Sequence, residues 1–177
     1  MSRTDLLDVN VWLTLAHVHH PHHTAARRYW EASTASMAFC RTSMQGFLRL
    51  VSRQAVMGAA VQTLAEAWSI YTARLATGRS VLLAEPDNVD SVWQRLSSVE
   101  NFHIRDSADA YLASFALCAD YRLVSFDAGF ARYRPSESGK EFSKAKGKLK
   151  SLGTQLDFLH LRPELEAWRV SWLLLNQ

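Results

Sequence analysis

The sequence has little cysteine and no long apolar run, and each shortage excludes a class of protein. Its two cysteines, Cys40 and Cys118, are too few for a disulfide framework, so we expect buried thiols in a cytoplasmic protein. No apolar run approaches the roughly 20 residues that a bilayer span needs, which argues against a membrane protein. Asp5 and Asp8 interrupt the N-terminus where the apolar stretch of a secretory signal would lie, so we expect no such signal.

Lysine is absent before residue 140, and this absence marks a change of composition along the chain. All the lysines lie between Lys140 and Lys150, whereas arginine supplies every Lys or Arg charge of residues 1–135. Residues 136–150 are therefore typical of a solvated basic linker, and leucines and tryptophans follow it at helical spacing. We predict a domain at residues 1–135 and a basic linker with an amphipathic C-terminal extension at 136–177. The net charge of +3 is too small to indicate a nucleic-acid partner.

Short apolar runs alternate with helical patterns in the predicted domain. With 48% hydrophobic residues the chain has enough apolar surface for a folded core. The pattern predicts strands at residues 6–9, 37–41, 101–104 and 122–126, with helices in most of the segments between them. Such alternation is typical of a mostly parallel sheet covered by helices on both faces, so we predict an α/β fold.

Three aspartates follow the strand ends in a shared pattern. Asp8 ends the first predicted strand, Asp109 lies in the first turn of the helix after the third, and Asp127 directly follows the fourth. The carboxyl ends of parallel strands share one edge of a sheet, so these side chains are candidates for one crevice. Clustered carboxylates repel each other unless a cation joins them, and Mg²⁺ prefers oxygen ligands. The spacing alone leaves two interpretations open: a metal site suited to phosphodiester hydrolysis, or three unrelated cap and turn residues.

Four segments occur in order along the chain: LLDVNV at residues 6–11, RTSMQGFLR at 41–49, ADAYLA at 108–113 and RLVSFDAGF at 122–130. Together they closely resemble the PIN-domain ribonuclease toxins of the VapC type, over residues 4–134. The resemblance implies a PIN-like α/β/α sandwich around a mostly parallel sheet. It also implies RNA endonuclease activity dependent on Mg²⁺ or Mn²⁺, control by a cognate antitoxin protein, and a homodimer.

The resemblance also implies roles for particular residues. Asp8, Asp109 and Asp127 match the metal-binding acids of the family, and Gln45 is the fourth expected catalytic residue. Many members of the family carry Glu at this place, so Gln45 would leave the site with less negative charge and weaker metal binding. Asp106 is either a helix cap, which we favour, or a further ligand.

The function predicted from the sequence is that of the toxin of a toxin–antitoxin pair, which hydrolyses RNA by a metal-activated water. Gln45 keeps one alternative open, a PIN-fold module that binds RNA or a protein without cleaving. A second alternative is a metal-dependent phosphatase or deoxyribonuclease that uses the same acids.

A cluster of five histidines lies between the first two predicted helices: His17, His19, His20, His22 and His23. Neighbouring histidines can bind Zn²⁺, but no Cys or acid lies nearby in the sequence to complete a structural site. We favour a solvent-exposed loop, with a contact to RNA bases as the alternative.

Overall fold

The computed structural model describes residues 3–133 and 157–162. Within those ranges the chain forms five strands and seven α-helices. In chain order they are β1 (Thr4–Leu7), α1 (Val9–Ala16), α2 (His23–Ala32), β2 (Ser36–Phe39), α3 (Arg41–Val51), α4 (Gln54–Met57), α5 (Leu64–Ala76), β3 (Ser80–Leu82), α6 (Val89–Ser97), α7 (Ser107–Ala119), β4 (Arg122–Ser125) and β5 (Phe158–His160). None of the helices in the described ranges is long and apolar enough to cross a membrane.

The strands form one parallel sheet in the order β3-β2-β1-β4-β5. The chain builds the sheet outward from β1 to β3 and then returns to place β4 on the other side of β1. Such a reversal creates a switch point, and α/β proteins bind ligands beyond the carboxyl ends of the strands there. Asp8 directly follows β1 and Asp127 lies two residues after β4, so both aspartates lie at this switch point.

Alternate residues of the strands face two hydrophobic cores, one on each side of the sheet. Leu6 and Leu123 contribute to the core beneath α6 and α7, whereas Leu7 and Val124 contribute to the core beneath α1, α3 and α5. The alternation arises because successive side chains of a strand point to opposite faces. The predicted α/β/α sandwich around a parallel sheet is therefore confirmed.

The third strand is not where the sequence predicts it. Residues 101–104 do not pair with the sheet: Asn101 has a positive φ of 64°, and Ile104–Asp106 form a 3-10 turn. Phe102 nevertheless packs against the core beneath α6 and α7, which explains the apolar character of the segment. The third strand is instead Ser80–Leu82, the three-residue edge strand β3.

The edge strand β5 lies beyond the predicted domain boundary at residue 135. Phe158–His160 pairs in parallel with β4, and the buried Phe158 belongs to the core beneath α6 and α7. Part of the segment 136–177 therefore joins the same sheet as the predicted nuclease domain. The predicted basic linker at 136–150 and the amphipathic helix after residue 162 lie outside the described residues, and the division into domains stays a prediction.

Candidate active site

Asp8 is the most buried aspartate at the switch point, with 7% of its surface exposed. Its Oδ1 accepts a hydrogen bond from the amide of Val9 at 2.6 Å, which caps α1, and its Oδ2 accepts one from Ser125 Oγ at 2.7 Å. Burial raises the pKa of Asp8 despite these hydrogen bonds, and the charge on Asp127 adds to the shift. Among the described residues no Lys or Arg side chain forms an ion pair with this carboxylate.

Ser125 links the end of β4 to the start of α1. Its hydroxyl donates to Asp8 and accepts from Asn10 Nδ2 and from the amide of Asp127, both at 2.9 Å. All three hydrogen-bonding positions of the hydroxyl are therefore used. Asn10 Oδ1 in turn accepts from the amide of Phe126 at 3.2 Å. These bonds fix the orientation of Asp8 and the backbone that carries Asp127, a role that was not foreseen from the sequence. A polar residue at the end of the apolar run of β4 is the signal that points to it.

Asp109 lies in the first turn of α7, which returns the chain towards the start of β4 and therefore begins at the carboxyl edge of the sheet. Burial raises the pKa of Asp109 to about 6, and the charges on Asp8, Asp127 and Asp106 add to the shift. The structure thus brings Asp8, Asp109 and Asp127 close enough for their charges to act on one another. Their catalytic and metal-binding roles stay predictions.

Asp127 is exposed and forms a tight turn directly after β4. Its Oδ1 accepts a hydrogen bond from the amide of Gly129 at 2.6 Å. A Cβ at position 129 would lie 2.9 Å from the same oxygen, so the turn favours glycine there. Asp127 is therefore a turn residue and a member of the acidic cluster at once.

Arg132 supplies positive charge beside the acids. Asp106 occupies the N-cap position of α7, as favoured from the sequence, but its side chain makes no capping hydrogen bond. Its Oδ2 instead accepts from Arg132 Nη1 at 2.7 Å, and Arg132 partly offsets the rise in the pKa of Asp109. Nothing in the local sequence points to Arg132, because its ion pair joins residues 26 positions apart.

Gln45 is exposed on α3, and among the described residues no contact joins it to the three acids. The next residue, Gly46, packs closely on Val9: a Cβ at position 46 would lie 3.2 Å from Val9 Cγ2. Helix α3 therefore crosses the start of α1 next to Asp8. This places the backbone of Gln45 near the acidic cluster, while its predicted role stays untested.

The chemistry of the donor set suits a hydrated Mg²⁺ ion. Within the described ranges no group of three or more His, Cys, Asp or Glu side chains is placed to hold a metal ion by itself. Mg²⁺ commonly takes one or two protein carboxylates and keeps several of its waters, so the pair Asp8 and Asp109 is sufficient. Burial is the main cause of the raised pKa values of both groups and the neighbouring acids add to them, so a cation at this place would favour the charged forms.

Two clefts flank this region. The first, here called the arginine cleft, has a volume of about 600 Å³ and includes Ser107 and Ala108, the residues just before Asp109. Its other lining residues are Arg41, Thr42, Glu85, Asp90, Trp93, Ile104, Arg105 and Tyr111. The second, here called the histidine cleft, has a volume of about 280 Å³ and is lined by Asn10, Leu13, Thr14, His17, His20, His22, Val56, Met57 and Phe126.

The histidine loop between α1 and α2 is less exposed than the sequence suggests. Only His19 is exposed, and the other four histidines are half-buried. His23 Nδ1 lies 2.8 Å from the carbonyl oxygen of Thr14, and His20 Nδ1 lies 3.5 Å from the Thr14 hydroxyl. These contacts hold the loop against α1, so the loop that the sequence predicts to be solvent-exposed is only partly exposed.

Comparison with known proteins identifies the family. The family described as "PIN domain" matches residues 6–134. Ribonuclease VapC41 of Mycobacterium tuberculosis is 38% identical over 134 residues, which cover 72% of this chain and 92% of that protein.

Solved structures share the fold at low sequence identity. The crystal structure of Mycobacterium tuberculosis VapC20, described as a sarcin-ricin loop cleaving toxin, superposes with a TM-score of 0.56 at 15% identity, over 72% of this chain and 93% of that one. VapBC2 from Rickettsia felis, bound to a DNA fragment from its promoter, gives a TM-score of 0.51 at 13% identity over 73% and 92% of the two chains.

Proposed function

The chain belongs to the PIN-domain family of VapC-type ribonucleases, and from this premise we propose that it is the RNA endonuclease toxin of a toxin–antitoxin pair. Its substrate would be an RNA phosphodiester bond, and its cofactor Mg²⁺ or Mn²⁺. The observation that carries the proposal is the convergence of Asp8, Asp109 and Asp127 at the switch point of the sheet. Burial and the mutual repulsion of the acids both disfavour their charged forms, which supports a functional reason for the arrangement.

In the proposed mechanism Asp8 and Asp109 would hold the cation, and Asp127 would complete the second shell or bind a second metal ion. A divalent cation supplies a water of lowered pKa and stabilises the negative charge that develops on the phosphate. Ser125 fixes Asp8 in one orientation through its 2.7 Å hydrogen bond, so this carboxylate needs little rearrangement on binding. Gln45, on α3 beside the start of α1, would orient a water or the scissile phosphate.

The arginine cleft supports RNA as the substrate. Arg41 and Arg105 line it together with the acids Glu85 and Asp90, and it includes Ser107 and Ala108, which precede Asp109 in the chain. Arginine binds phosphate groups through paired hydrogen bonds, so the two arginines would hold the strand next to the cleaved bond. Trp93, which is half-buried in the same cleft, would provide aromatic surface for an unpaired base.

A cognate antitoxin, a homodimer and a cytoplasmic location complete the proposal. A VapBC assembly among the structural neighbours supports an antitoxin partner. Cys40 and Cys118 are free thiols, which accords with a reducing compartment. Homodimer formation follows from the family resemblance alone and requires measurement of the molar mass in solution.

Incubation with three substrates separates the candidate activities. Structured RNA, DNA of the same sequence and a small phosphate ester are each incubated with the full chain, in Mg²⁺ and in EDTA. The proposal expects internal cleavage of RNA in Mg²⁺ only. Cleavage of DNA or of the ester at a comparable rate would indicate one of the other hydrolases, and RNA binding without cleavage would indicate a non-cleaving PIN-fold module. An unchanged rate in EDTA would contradict the metal-dependent mechanism. Asp8→Asn protein, prepared identically, controls for contaminating ribonuclease.

A further inference from the structure

The histidine cleft shares its wall with the acidic cluster. Phe126, which lines the cleft, is followed directly by Asp127 and preceded by Ser125, the hydrogen-bond donor to Asp8. Asn10 also lines the cleft, and its side chain bonds both to Ser125 Oγ and to the amide of Phe126. A ligand in the cleft would therefore touch the same rigid segment that positions two of the three acids.

The walls of the cleft are aromatic and apolar. The rings of His22 and Phe126 stack with centroids 5.2 Å apart and an angle of 25° between their planes. Leu13, Val56 and Met57 add apolar surface on α1 and α4. A volume of about 280 Å³ is just below the roughly 300–1,000 Å³ typical of small-molecule sites. The size and the ring walls fit one planar aromatic group.

Two of the lining histidines retain unused hydrogen-bonding capacity. The Nδ1 atoms of His17 and His22 are buried, and within the described residues neither side chain has a hydrogen-bond partner. His20 Nδ1, in contrast, already accepts a hydrogen bond from the amide of His22 at 3.1 Å, so the ring proton of His20 is assigned to Nε2. Burial and the neighbouring histidines lower the pKa of His20, which favours a neutral ring there. The cleft thus offers hydrogen-bonding groups beside aromatic faces.

We propose that the histidine cleft binds one nucleobase of the RNA strand, next to the phosphate held at the acidic cluster. The inference rests on the proposed ribonuclease function and adds a base-binding subsite to it. A base stacks on aromatic rings and offers polar edges to side chains such as His17 and His22. Because Phe126 and Asp127 are adjacent, a base in the cleft belongs to a nucleotide flanking the cleaved bond.

A metal ion and a protein partner fit the same observations less well. Within the described residues the histidines are not placed to hold a metal ion, and His20 Nδ1 is already occupied. An apolar side chain of a protein partner would leave the ring nitrogens of His17 and His22 without partners, which is unfavourable in a buried site. A nucleobase satisfies the aromatic and the polar parts of the wall together.

Nuclear magnetic resonance of the full chain with ¹³C-labelled histidine rings tests the subsite in EDTA, where metal-dependent chemistry is absent. The probes are AMP, GMP, CMP and UMP, each compared with ribose 5-phosphate, which has the sugar and phosphate but no base. At least one nucleotide should shift the ring signals of His17, His20 and His22 and leave that of the exposed His103 unchanged. Ribose 5-phosphate should shift none of them. Equal shifts with ribose 5-phosphate would overturn the proposal in favour of a phosphate site.

Substitutions at His22 separate stacking from a structural effect. His22 precedes α2 without a side-chain capping bond, so its replacement leaves the helix start intact. His22→Ala should weaken nucleotide binding at least about fivefold, the loss expected when one stacking partner of a base is removed. His22→Phe keeps an aromatic face and should recover most of the affinity. His19→Ala is the matched control, because His19 belongs to the same loop but does not line the cleft, and its binding should equal that of the wild type.

Two further outcomes would overturn the subsite. One is binding of one equivalent of Zn²⁺ at His17, His20 and His22 with no response to any nucleotide. The other is a response of these signals to the cognate antitoxin alone. RNA cleavage measured on the same preparation keeps the two hypotheses distinct. Cleavage without nucleotide-induced shifts would contradict the base subsite but not the ribonuclease function. Shifts without cleavage would contradict the ribonuclease function but not the binding of a base in the cleft.

Discussion

Two aspartates of the first strand segment, Asp5 and Asp8, have opposite environments. Asp5 is fully buried and receives two hydrogen bonds from Arg122, from Nε at 2.8 Å and from Nη2 at 2.5 Å, and a third from the Tyr29 hydroxyl. Asp8 lies three residues later, is nearly as buried, and has Asp109 and Asp127 as its charged neighbours. The charge of Asp5 is therefore balanced by the guanidinium of Arg122, whereas the charged neighbours of Asp8 are also negative.

The contrast separates a structural acid from a functional one. The bond to Asp5 raises the pKa of Arg122, so the pair strengthens the joint between β1 and β4, where Asp5 and Arg122 lie opposite each other. At the carboxyl end of the same two strands the repulsion among Asp8, Asp109 and Asp127 is only partly offset, by hydrogen bonds to Asp8 and by the charge of Arg132. A protein under selection for stability alone would not retain that repulsion.

The same substitution at the two positions gives the largest expected contrast. Asp8→Asn removes a charged ligand without changing the shape of the side chain. It should lower Mg²⁺-dependent RNA cleavage at least about a thousandfold, because a bound cation supplies several kcal/mol of charge stabilisation. Cleavage rates on one defined RNA measure the effect. A variant that cuts at the wild-type rate would remove Asp8 from the mechanism.

Asp5→Asn should instead damage the fold. The change leaves the guanidinium of Arg122, whose side chain is only 20% exposed, without its counter-charge. Breaking one partner of such a pair should lower the free energy of unfolding by about 3 kcal/mol. Urea unfolding measures the loss, with the exposed Asp87→Asn as the matched control. A loss as small as that of the control would show that the Asp5 pair does not stabilise the protein.

The acidic cluster should also give the metal-free protein a characteristic pH dependence. The pKa of Asp109 is about 6 in the folded protein and close to 3.9 in the unfolded chain, so between these values the folded state binds more protons. The contribution of Asp109 to stability therefore falls as the pH rises from about 4 to 6. At pH 7 the free energy of unfolding of Asp109→Asn should exceed that of the wild type by about 1 kcal/mol, a figure discounted for the partial exposure of Asp109.

Urea unfolding in EDTA at about pH 4.5 and pH 7 tests this prediction. The difference in the free energy of unfolding between Asp109→Asn and the wild type should be small at about pH 4.5 and should reach its full value at pH 7. A wild type that is the more stable of the two at pH 7 would contradict repulsion within the cluster.

Gln45→Glu should have the smallest effect. A carboxylate at this position adds negative charge near the start of α1, so it should tighten Mg²⁺ binding by a few-fold if residue 45 faces the cation. Calorimetric titration with MgCl₂ measures the affinity, and Gln62→Glu, on a remote segment, controls for net charge. Equal affinities in the two variants would show that position 45 does not contact the metal ion.

Elements with a clear local pattern were predictable from the sequence. The helix that the sequence predicts after residues 101–104, with Asp109 in its first turn, is α7, because its apolar residues recur at helical spacing. The strand predicted at 101–104 is wrong, since Phe102 packs on the core and Ile104 is 87% exposed without joining the sheet. The true β3 has three residues, one of them the exposed Val81, and is too short to show a pattern.

The different electrostatic environments of Asp5 and Asp8 were not predictable from the local sequence. Both are aspartates beside the same pair of leucines. Asp5 meets Arg122 only because β1 and β4 pair in one register across 117 positions of the chain. Asp8, Asp109 and Asp127 were predictable as a group because all three belong to strand ends or helix starts at one edge of the sheet. Ser125 and Arg132 were missed because their roles depend on tertiary contacts.

Thermal unfolding in EDTA and in MgCl₂ tests most directly whether the acids at the switch point form a cation site. A cation that binds only the folded state raises its melting temperature. We predict that Mg²⁺ raises the melting temperatures of the wild type and of Asp87→Asn by the same amount. Asp8→Asn and Asp109→Asn should show no such rise. The two variants should also melt above the wild type in EDTA, because they remove repulsion. An equal rise in melting temperature with Mg²⁺ in all four proteins, or no rise in the wild type, would contradict a cation site at these acids.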